Sequence, residues 1–162
     1  MDTAVIRHAT PADGPAVRAF VFATLRAYGI EPEPEGLDAD VMCFGQGDGG
    51  AAEFVAEIGG RAVGSVQLSS REDGRAHLSK FFVDAAVRGR GLGRLLLARA
   101  VAEARACGYR QVELETRTAY EAAVHLYEAT GWQRGTDLPA GSGPDRTYML
   151  DLAGDAKAGE VG

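Results

Sequence analysis

Cysteine is scarce in this sequence of 162 residues, and its distribution excludes two kinds of site. Only Cys43 and Cys107 are present, with no paired spacing such as C-x-x-C. The sequence therefore indicates neither a disulfide framework nor a zinc site, and we predict no metal. No stretch approaches the roughly 18 apolar residues of a membrane span, and Met1 to Thr10 lacks a basic region followed by an apolar run. We therefore expect a cytoplasmic protein with no membrane partner.

Basic residues are in the minority, with 17 lysines and arginines against 23 acidic residues and a formal net charge of -6. This charge argues against nucleic acid as the main partner, because the average field would repel a duplex. The length and the apolar content of 46% suit one globular domain, which we place at residues 1–152. The last residues, 153–162, are small and polar, and we expect them to form a disordered tail.

The apolar pattern predicts seven strands and three helices. Alternation and turn signals place the strands at Ala4–His8, Glu53–Ile58, Ala62–Leu68, Ala76–Val83, Gln111–Glu115, Trp132–Arg134 and Arg146–Leu152. The helices begin after Thr10-Pro11-Ala12-Asp13, at Leu92 and after a capping-box pattern at Thr118–Glu121, and they end before Gly29, Gly108 and Gly131. The segment Glu31–Gly50 has weak periodicity and reads as irregular, with one helical turn around Leu37–Met42.

The long helix from Leu92 joins two predicted strands, and this arrangement fixes part of the topology. A strand, a helix of about four turns and a strand form a right-handed crossover between parallel neighbours. The three strands before that helix are separated by short turns, which favours antiparallel hairpins. We therefore expect an α/β fold with a mixed, mostly antiparallel sheet.

Between the fourth strand and the long helix, glycines alternate with basic residues in the run Val83-Asp84-Ala85-Ala86-Val87-Arg88-Gly89-Arg90-Gly91-Leu92-Gly93-Arg94. Glycines let the backbone approach a pyrophosphate, and a helix N-terminus adds converging N–H groups and roughly half a positive charge. A dinucleotide fingerprint is excluded because Arg94 or Leu96 stands in its last glycine slot, and a P-loop is excluded because its Gly-Lys pair is absent. The run therefore indicates an anion-binding loop of another kind.

Arg88, Gly91 and Gly93 resemble the R/Q-x-x-G-x-G/A signature of the GCN5-related N-acetyltransferase (GNAT) family. A second block, Leu114–Thr116 followed by Ala123–Trp132, resembles the family's strand and helix that end in Leu-Tyr-Glu, three further residues and an aromatic residue. The resemblance covers nearly all of Val5–Leu152. It implies a sheet split between the fourth and fifth strands, helices on both faces, and acetyl coenzyme A as the acetyl donor, held in that split.

The resemblance also implies roles for individual residues. The splayed fourth strand would bond the pantetheine arm and the loop would hold the pyrophosphate, which gives as cofactor-binding residues Phe81, Phe82, Val83, Arg88, Gly89, Arg90, Gly91, Leu92, Gly93 and Arg94. Tyr127 would protonate the departing thiolate, since a phenol has a suitable pKa. Glu115 is the first candidate for the base, and Glu113 or an ordered water chain is the alternative.

Some positions keep a second interpretation. Tyr120 stands where many relatives carry an asparagine that reaches the cofactor, so that contact is either lost or replaced by the tyrosine ring. Tyr127 could be an ordinary core aromatic residue, and Glu115 could simply pair with Arg117 or Arg110. His8, His77 and His125 have no metal-ligand spacing, although His77 lies on the strand that leads into the cofactor segment.

The predicted activity is acetyl transfer to a primary amine by direct attack, without a covalent enzyme intermediate, because neither cysteine lies in a motif suited to nucleophilic catalysis. We expect a small-molecule acceptor rather than a protein N-terminus. A homodimer is common among proteins that resemble this one. The alternative function is a non-catalytic module that senses an acyl coenzyme A. The sequence does not identify the acceptor.

Overall fold

A computed structural model describes residues 3–47, 51–139, 141 and 143–152. Its strands are β1 (Val5–His8), β2 (Ala52–Ile58), β3 (Arg61–Ser70), β4 (Arg75–Val83), β5 (Gln111–Thr116), β6 (Gln133–Arg134) and β7 (Arg146–Asp151). Its α-helices are α1 (Gly14–Ala27), α2 (Leu92–Ala106) and α3 (Glu121–Ala129), and short 3-10 helices lie at Pro11–Asp13, Ala39–Cys43 and Ala85–Val87. The tail predicted at residues 153–162 lies outside the described residues.

The strands form one seven-stranded sheet in the order β1-β2-β3-β4-β5-β7-β6. The pairs β1–β2, β2–β3, β5–β7 and β6–β7 are antiparallel. In contrast, β4 and β5 pair in parallel, with Arg75–His77 opposite Gln111–Glu113. This pairing involves three residues of each strand, although β4 runs on to Val83 and β5 to Thr116. The predicted mixed, mostly antiparallel sheet with flanking helices is confirmed.

The chain divides into two compact units, which we call unit 1 (Met1–Leu68 with Lys80–Ala100) and unit 2 (Ser69–Ser79 with Val101–Gly162). The placement of a single domain over residues 1–152 stays a prediction. Unit 1 contains the whole of β1, β2, α1 and the loop that leads into α2, and unit 2 contains β5, β6, β7 and α3.

The core of unit 1 is built on the apolar stripe of α1. Val17, Phe20, Val21 and Leu25 recur at helical spacing, and they are buried with Val55 and other apolar residues of the unit. The second turn of α2 packs tightly in the same unit, because a Cβ added at Gly64 would lie 2.7 Å from Leu96 Cδ1. The Arg99 guanidinium also lies 4.4 Å from the centre of the Phe54 ring, a cation–π contact.

The core of unit 2 is partly aromatic. The ring of Tyr127 on α3 lies 5.6 Å from the ring of Trp132 and 5.5 Å from that of Tyr148 on β7. The apolar residues Val112 and Leu114 alternate along β5 and are buried, whereas Glu113 and Glu115 point to the other face. This alternation places the acidic residues of β5 on a surface that solvent reaches.

The two predicted helix caps have different outcomes. At Thr10 the capping box forms, since the Thr10 N–H donates to Asp13 Oδ2 at 2.8 Å, although Pro11–Asp13 is a 3-10 helix and α1 begins at Gly14. At Thr118 the predicted capping box is wrong. The Thr118 N–H and hydroxyl donate instead to Asp145, at 2.7 and 2.9 Å, and Tyr120 is the N-cap of α3. The carboxylate of Asp145, 27 positions further along the chain, therefore takes the place of Glu121 as the partner of Thr118.

Candidate cofactor and catalytic sites

The loop between β4 and α2 has the backbone that the glycine pattern predicted. Gly89 and Gly91 have φ values of +85° and +78°, in the left-handed region that favours glycine. A Cβ at either position would meet no atom within 4 Å, so the requirement for glycine is conformational and the space beside the loop is open. The N–H of Leu95 donates to the Gly91 carbonyl at 3.2 Å, which starts the hydrogen bonding of α2. The N–H groups of the first helical turn then point towards the loop.

The three arginines of the loop differ in their surroundings. Arg90 and Arg94 are exposed, and Leu92 between them is buried. The Arg88 guanidinium donates to the Val83 carbonyl at 3.3 Å and to the Thr24 hydroxyl at 3.4 Å. Arg88, although exposed, is therefore tied to β4 and α1 by hydrogen bonds, and Arg90 and Arg94 supply two further exposed guanidinium groups. These residues fit a diphosphate, because they combine open space, helix N–H groups and two solvated guanidinium groups.

Lys80, directly before the predicted pantetheine segment Phe81–Val83, has a strained backbone that sequence reasoning missed. Its φ is +54°, a value that non-glycine residues rarely adopt. The Ser65 hydroxyl donates to the Lys80 carbonyl at 2.7 Å, and Lys80 Nζ lies 2.5 Å from Asp40 Oδ2. Two contacts thus hold Lys80, one at its backbone carbonyl and one at its side-chain ammonium.

Tyr127 is buried, with an exposed fraction of 3%. Burial between aromatic rings raises the pKa of its hydroxyl well above the usual value, because the charged phenolate loses its solvation. Tyr127 therefore stays protonated at neutral pH. The neighbouring Tyr148 hydroxyl donates to Glu128 Oε2 at 2.5 Å and accepts from Arg146 Nη1 at 3.2 Å.

Glu115 belongs to an ionic network on the accessible face of β4 and β5. His77 Nε2 donates to Glu115 Oε1 at 2.9 Å, and Arg71 Nη1 donates to Glu115 Oε2 at 3.1 Å. Arg71 Nη1 also reaches Glu113 Oε1 at 3.1 Å, and Arg75 Nη1 donates to Glu113 Oε2 at 2.9 Å. The predicted pairing of Glu115 with Arg117 or Arg110 is therefore wrong. The hydrogen bond from His77, followed by that from Arg71, lowers the pKa of Glu115 to about 2.

The predicted residues fall into two groups. Unit 1 brings together Phe81–Val83 and Arg88–Arg94, the whole predicted cofactor set except Tyr120. Unit 2 holds Tyr120, Tyr127, Glu113 and Glu115. Tyr120 caps α3 through its backbone: its N–H donates to the Arg117 carbonyl at 3.0 Å and its carbonyl accepts from the Val124 N–H at 3.0 Å. Its contact with a cofactor stays a prediction.

The comparison with known proteins identifies the family. The family model described as "Acetyltransferase (GNAT) family" matches residues 18–132, more than half of the chain. The chain belongs to the GNAT family. This GNAT chain is 29% identical over 138 residues to the uncharacterized N-acetyltransferase YjgM of Escherichia coli (strain K12), and the match covers 80% of the chain and 81% of that relative.

Solved structures share the GNAT fold over nearly the whole chain. An acetyltransferase of the GNAT family from Staphylococcus aureus Mu50 superposes with a TM-score of 0.83 at 17% identity, covering 93% of this chain and 99% of that one. The structure of yncA, a putative acetyltransferase from Salmonella typhimurium with its cofactor acetyl coenzyme A, superposes with a TM-score of 0.73 at 22% identity, covering 92% and 94%. The chain is an N-acetyltransferase, and acetyl coenzyme A is its acetyl donor.

The described residues contain neither a candidate metal cluster nor a membrane-spanning helix. No group of three or more histidine, cysteine, aspartate or glutamate side chains there has the arrangement of a metal site. Within the same residues, no helix combines the length and the apolar character needed to cross a bilayer.

Proposed function

We propose that this GNAT acetyltransferase acetylates the primary amine of a small molecule by direct attack of the amine on the thioester. The observation that carries the proposal is the loop Arg88–Arg94, where left-handed glycines, the N-terminus of α2 and the exposed Arg90 and Arg94 coincide. This combination suits the diphosphate of coenzyme A. Acetyl coenzyme A, when bound, supplies the thioester whose acetyl carbon the amine attacks.

The strand before the loop is proposed to hold the rest of the cofactor. The kink at Lys80 is fixed by Ser65 and Asp40, and it immediately precedes Phe81–Val83. A fixed kink sets the direction of the following backbone, so Phe81–Val83 can present its main-chain groups to a pantetheine arm without a cost in ordering.

Direct attack is favoured over a covalent enzyme intermediate. Cys107 is exposed, and its Sγ donates to Glu103 Oε2 at 3.5 Å. Desolvation and the Glu103 carboxylate raise the pKa of Cys107, so the reactive thiolate is disfavoured. We propose instead that Tyr127 donates a proton to the departing sulfur, which is consistent with a phenol that stays protonated at neutral pH.

The sequence supports further proposals about the acceptor, the cellular location and the partners. The net charge of -6 does not suit nucleic acid, and it favours a cationic small amine over an anionic acceptor. We also keep three predictions about the protein's surroundings: a cytoplasmic location, no membrane or nucleic-acid partner, and a homodimer.

Cofactor binding tests the loop directly. Isothermal calorimetry with coenzyme A should show binding to the parent chain, and the double variant Arg90→Gln/Arg94→Gln should bind at least about 10-fold more weakly, since each lost phosphate contact removes a charge-assisted hydrogen bond. The salt dependence of binding should fall in the same variant. Arg26→Gln is the matched control, because Arg26 is exposed and lies outside the loop. Equal weakening by the control would remove the loop from the binding site.

Turnover tests the chemistry. The parent chain is incubated with acetyl coenzyme A and, separately, 2-phenylethylamine, spermidine, aspartate, kanamycin and a short peptide that begins with alanine, and free thiol is measured. We expect at least one small amine to release thiol faster than water alone. Binding of coenzyme A with no amine-dependent release for any member would support an acyl coenzyme A sensor instead.

A further inference from the structure

His77 and Glu115 form a histidine–carboxylate pair on the accessible face of β4 and β5. The His77 side chain has an exposed fraction of 21% and that of Glu115 has 29%, so a small molecule can reach both. His77 Nε2 donates to Glu115 Oε1 at 2.9 Å. His77 Nδ1 has no hydrogen-bond partner in the part of the chain that the structure describes. This arrangement leaves the Nδ1 lone pair to accept a proton when the ring is neutral.

The groups around the pair balance each other's charge. Arg71 contacts both Glu115 and Glu113, and Arg75 contacts Glu113. On β7 the residues opposite Glu113 and Glu115 are Met149 and Thr147, which do not titrate in this range. The two guanidinium groups therefore offset the charge of the two carboxylates, and His77 is the remaining polar side chain of the cluster.

We propose that His77 Nδ1 accepts the proton of the acceptor amine, and that Glu115 is a positioning residue that orients the His77 ring. This inference rests on the proposed function. Glu115 is itself a poor proton acceptor, because its hydrogen bonds with His77 and Arg71 hold its pKa at about 2. The His77 ring, in contrast, offers a free lone pair on Nδ1 when Nε2 donates to Glu115. Once His77 is protonated, the Glu115 carboxylate stabilises the imidazolium through Nε2.

The step balances without any other reactant. An ammonium acceptor loses two protons when it becomes an amide. His77 Nδ1 takes the first, which frees the nitrogen lone pair, and later releases that proton to water. The nitrogen then bonds to the acetyl carbon, the carbon–sulfur bond breaks with its electron pair on sulfur, and the second proton ends on that sulfur, through Tyr127 under the proposed function.

The test compares His77→Gln with the parent chain on two acceptors. The first is the amine of the panel that the parent acetylates fastest, and the second is its alkoxyamine counterpart, in which oxygen replaces the methylene beside the nitrogen and the amine is neutral at pH 7. For the cationic amine, kcat/KM of His77→Gln should fall about 100-fold, the size of a general-base contribution. For the neutral counterpart it should fall less than about 3-fold, because no ammonium proton must be removed.

Three further variants separate a chemical role from a structural one. His125→Gln is the matched control, because His125 is exposed on α3 and has no part in the network. Glu115→Gln should lower kcat/KM for the cationic amine by about 10-fold and for the neutral counterpart by less than about 3-fold, since only the cationic amine requires a His77 imidazolium, which loses its carboxylate partner. Arg75→Gln removes a network charge without touching the pair, and it should leave the ratio between the two acceptors unchanged.

The outcomes are distinct. Equal losses on both acceptors, or no loss, in His77→Gln would overturn the inference while the parent's turnover kept the proposed function. A larger defect in Glu115→Gln than in His77→Gln would also overturn it and make Glu115 the direct base. No amine-dependent turnover by the parent chain would remove the proposed function, and the inference with it.

Discussion

At the scale of single residues, the burial of Tyr127 has two opposite effects on its proposed role as the proton donor. Its burial keeps the hydroxyl protonated, which an acid requires, but a raised pKa also makes the proton harder to release. A departing thiolate, with an ordinary thiol pKa of about 8.5, can draw that proton only when negative charge develops close to the hydroxyl. The burial of Tyr127 therefore favours transfer in the transition state and disfavours it in the resting enzyme.

Replacement of Tyr127 by phenylalanine should separate chemistry from binding. We expect kcat for the fastest amine to fall about 100-fold, the usual contribution of a general acid, and the affinity for coenzyme A to change less than about 2-fold. Steady-state kinetics and calorimetry measure the two quantities. Tyr109→Phe is the control, because Tyr109 lies in unit 2 outside the aromatic cluster. Unchanged turnover in Tyr127→Phe would assign the proton donor to another group.

The partners of individual side chains were the part of the site that the sequence predicted least well. The glycine pattern predicted the left-handed loop, because the conformational preference of glycine is local. The partners of Glu115 could not be predicted, since His77 and Arg71 lie 38 and 44 positions away along the chain and come close only through strand register. The kink at Lys80 left no signal either, because Ser65 and Asp40 hold it from other elements.

At the scale of elements, the strands and helices follow the predicted bounds closely. Period-two and period-3.6 patterns are set by which face is buried, so β2, β4 and α2 differ from prediction by one residue at an end. The conformation of the segments that connect these elements was harder to predict. The segment after α1 contains a 3-10 helix at Ala39–Cys43, and its return towards β2 depends on a buried carboxylate, Glu53, which accepts from the Gly45 N–H at 3.2 Å and the Gly47 N–H at 3.4 Å.

Gly45 and Gly47 offer a matched test of this connection. Both have positive φ, +92° and +71°, and both donate to Glu53. A Cβ at Gly45 would lie 2.4 Å from the Thr10 carbonyl oxygen, whereas one at Gly47 would meet nothing within 4 Å. Gly47→Ala should therefore cost about 1 kcal/mol of unfolding free energy from backbone strain alone, and Gly45→Ala more than about 3 kcal/mol. Urea unfolding measures both, and equal costs would contradict the predicted clash.

At the scale of the whole molecule, both units contain a carboxylate whose pKa is lowered by folding. In unit 1 the Asp13 carboxylate accepts two hydrogen bonds from Arg7, each 2.8 Å long, and these lower its pKa. In unit 2 His77 and Arg71 lower the pKa of Glu115 to about 2 from 4.5. A carboxylate with a lowered folded pKa contributes stability above its unfolded pKa and loses it as the pH falls towards the folded pKa.

The stability of the protein should therefore decrease as the pH falls from about 4.5 to about 2, with Glu115 responsible for part of the decrease. In Glu115→Gln the unfolding free energy should be lowered most near neutral pH, and the difference from the parent should shrink through this range. Denaturant unfolding at a series of pH values gives the curve. Glu35→Gln, at an exposed position outside every described ion pair, should show the same pH dependence of the unfolding free energy as the parent. A pH-independent difference for Glu115→Gln would contradict the linkage.

The salt bridge of Lys80 bears on whether the enzyme can acetylate its own side-chain amines. The chain contains two lysines, Lys80 and Lys157, and relies on arginine for the rest of its positive charge. The Lys80 side chain is only 13% exposed and its ammonium is held by Asp40. An enzyme that gives acetyl groups to amines thus presents almost no side-chain amine of its own as a target. The low lysine content and the Lys80–Asp40 ion pair therefore limit the side-chain amines open to self-acetylation, which would consume the donor without useful product.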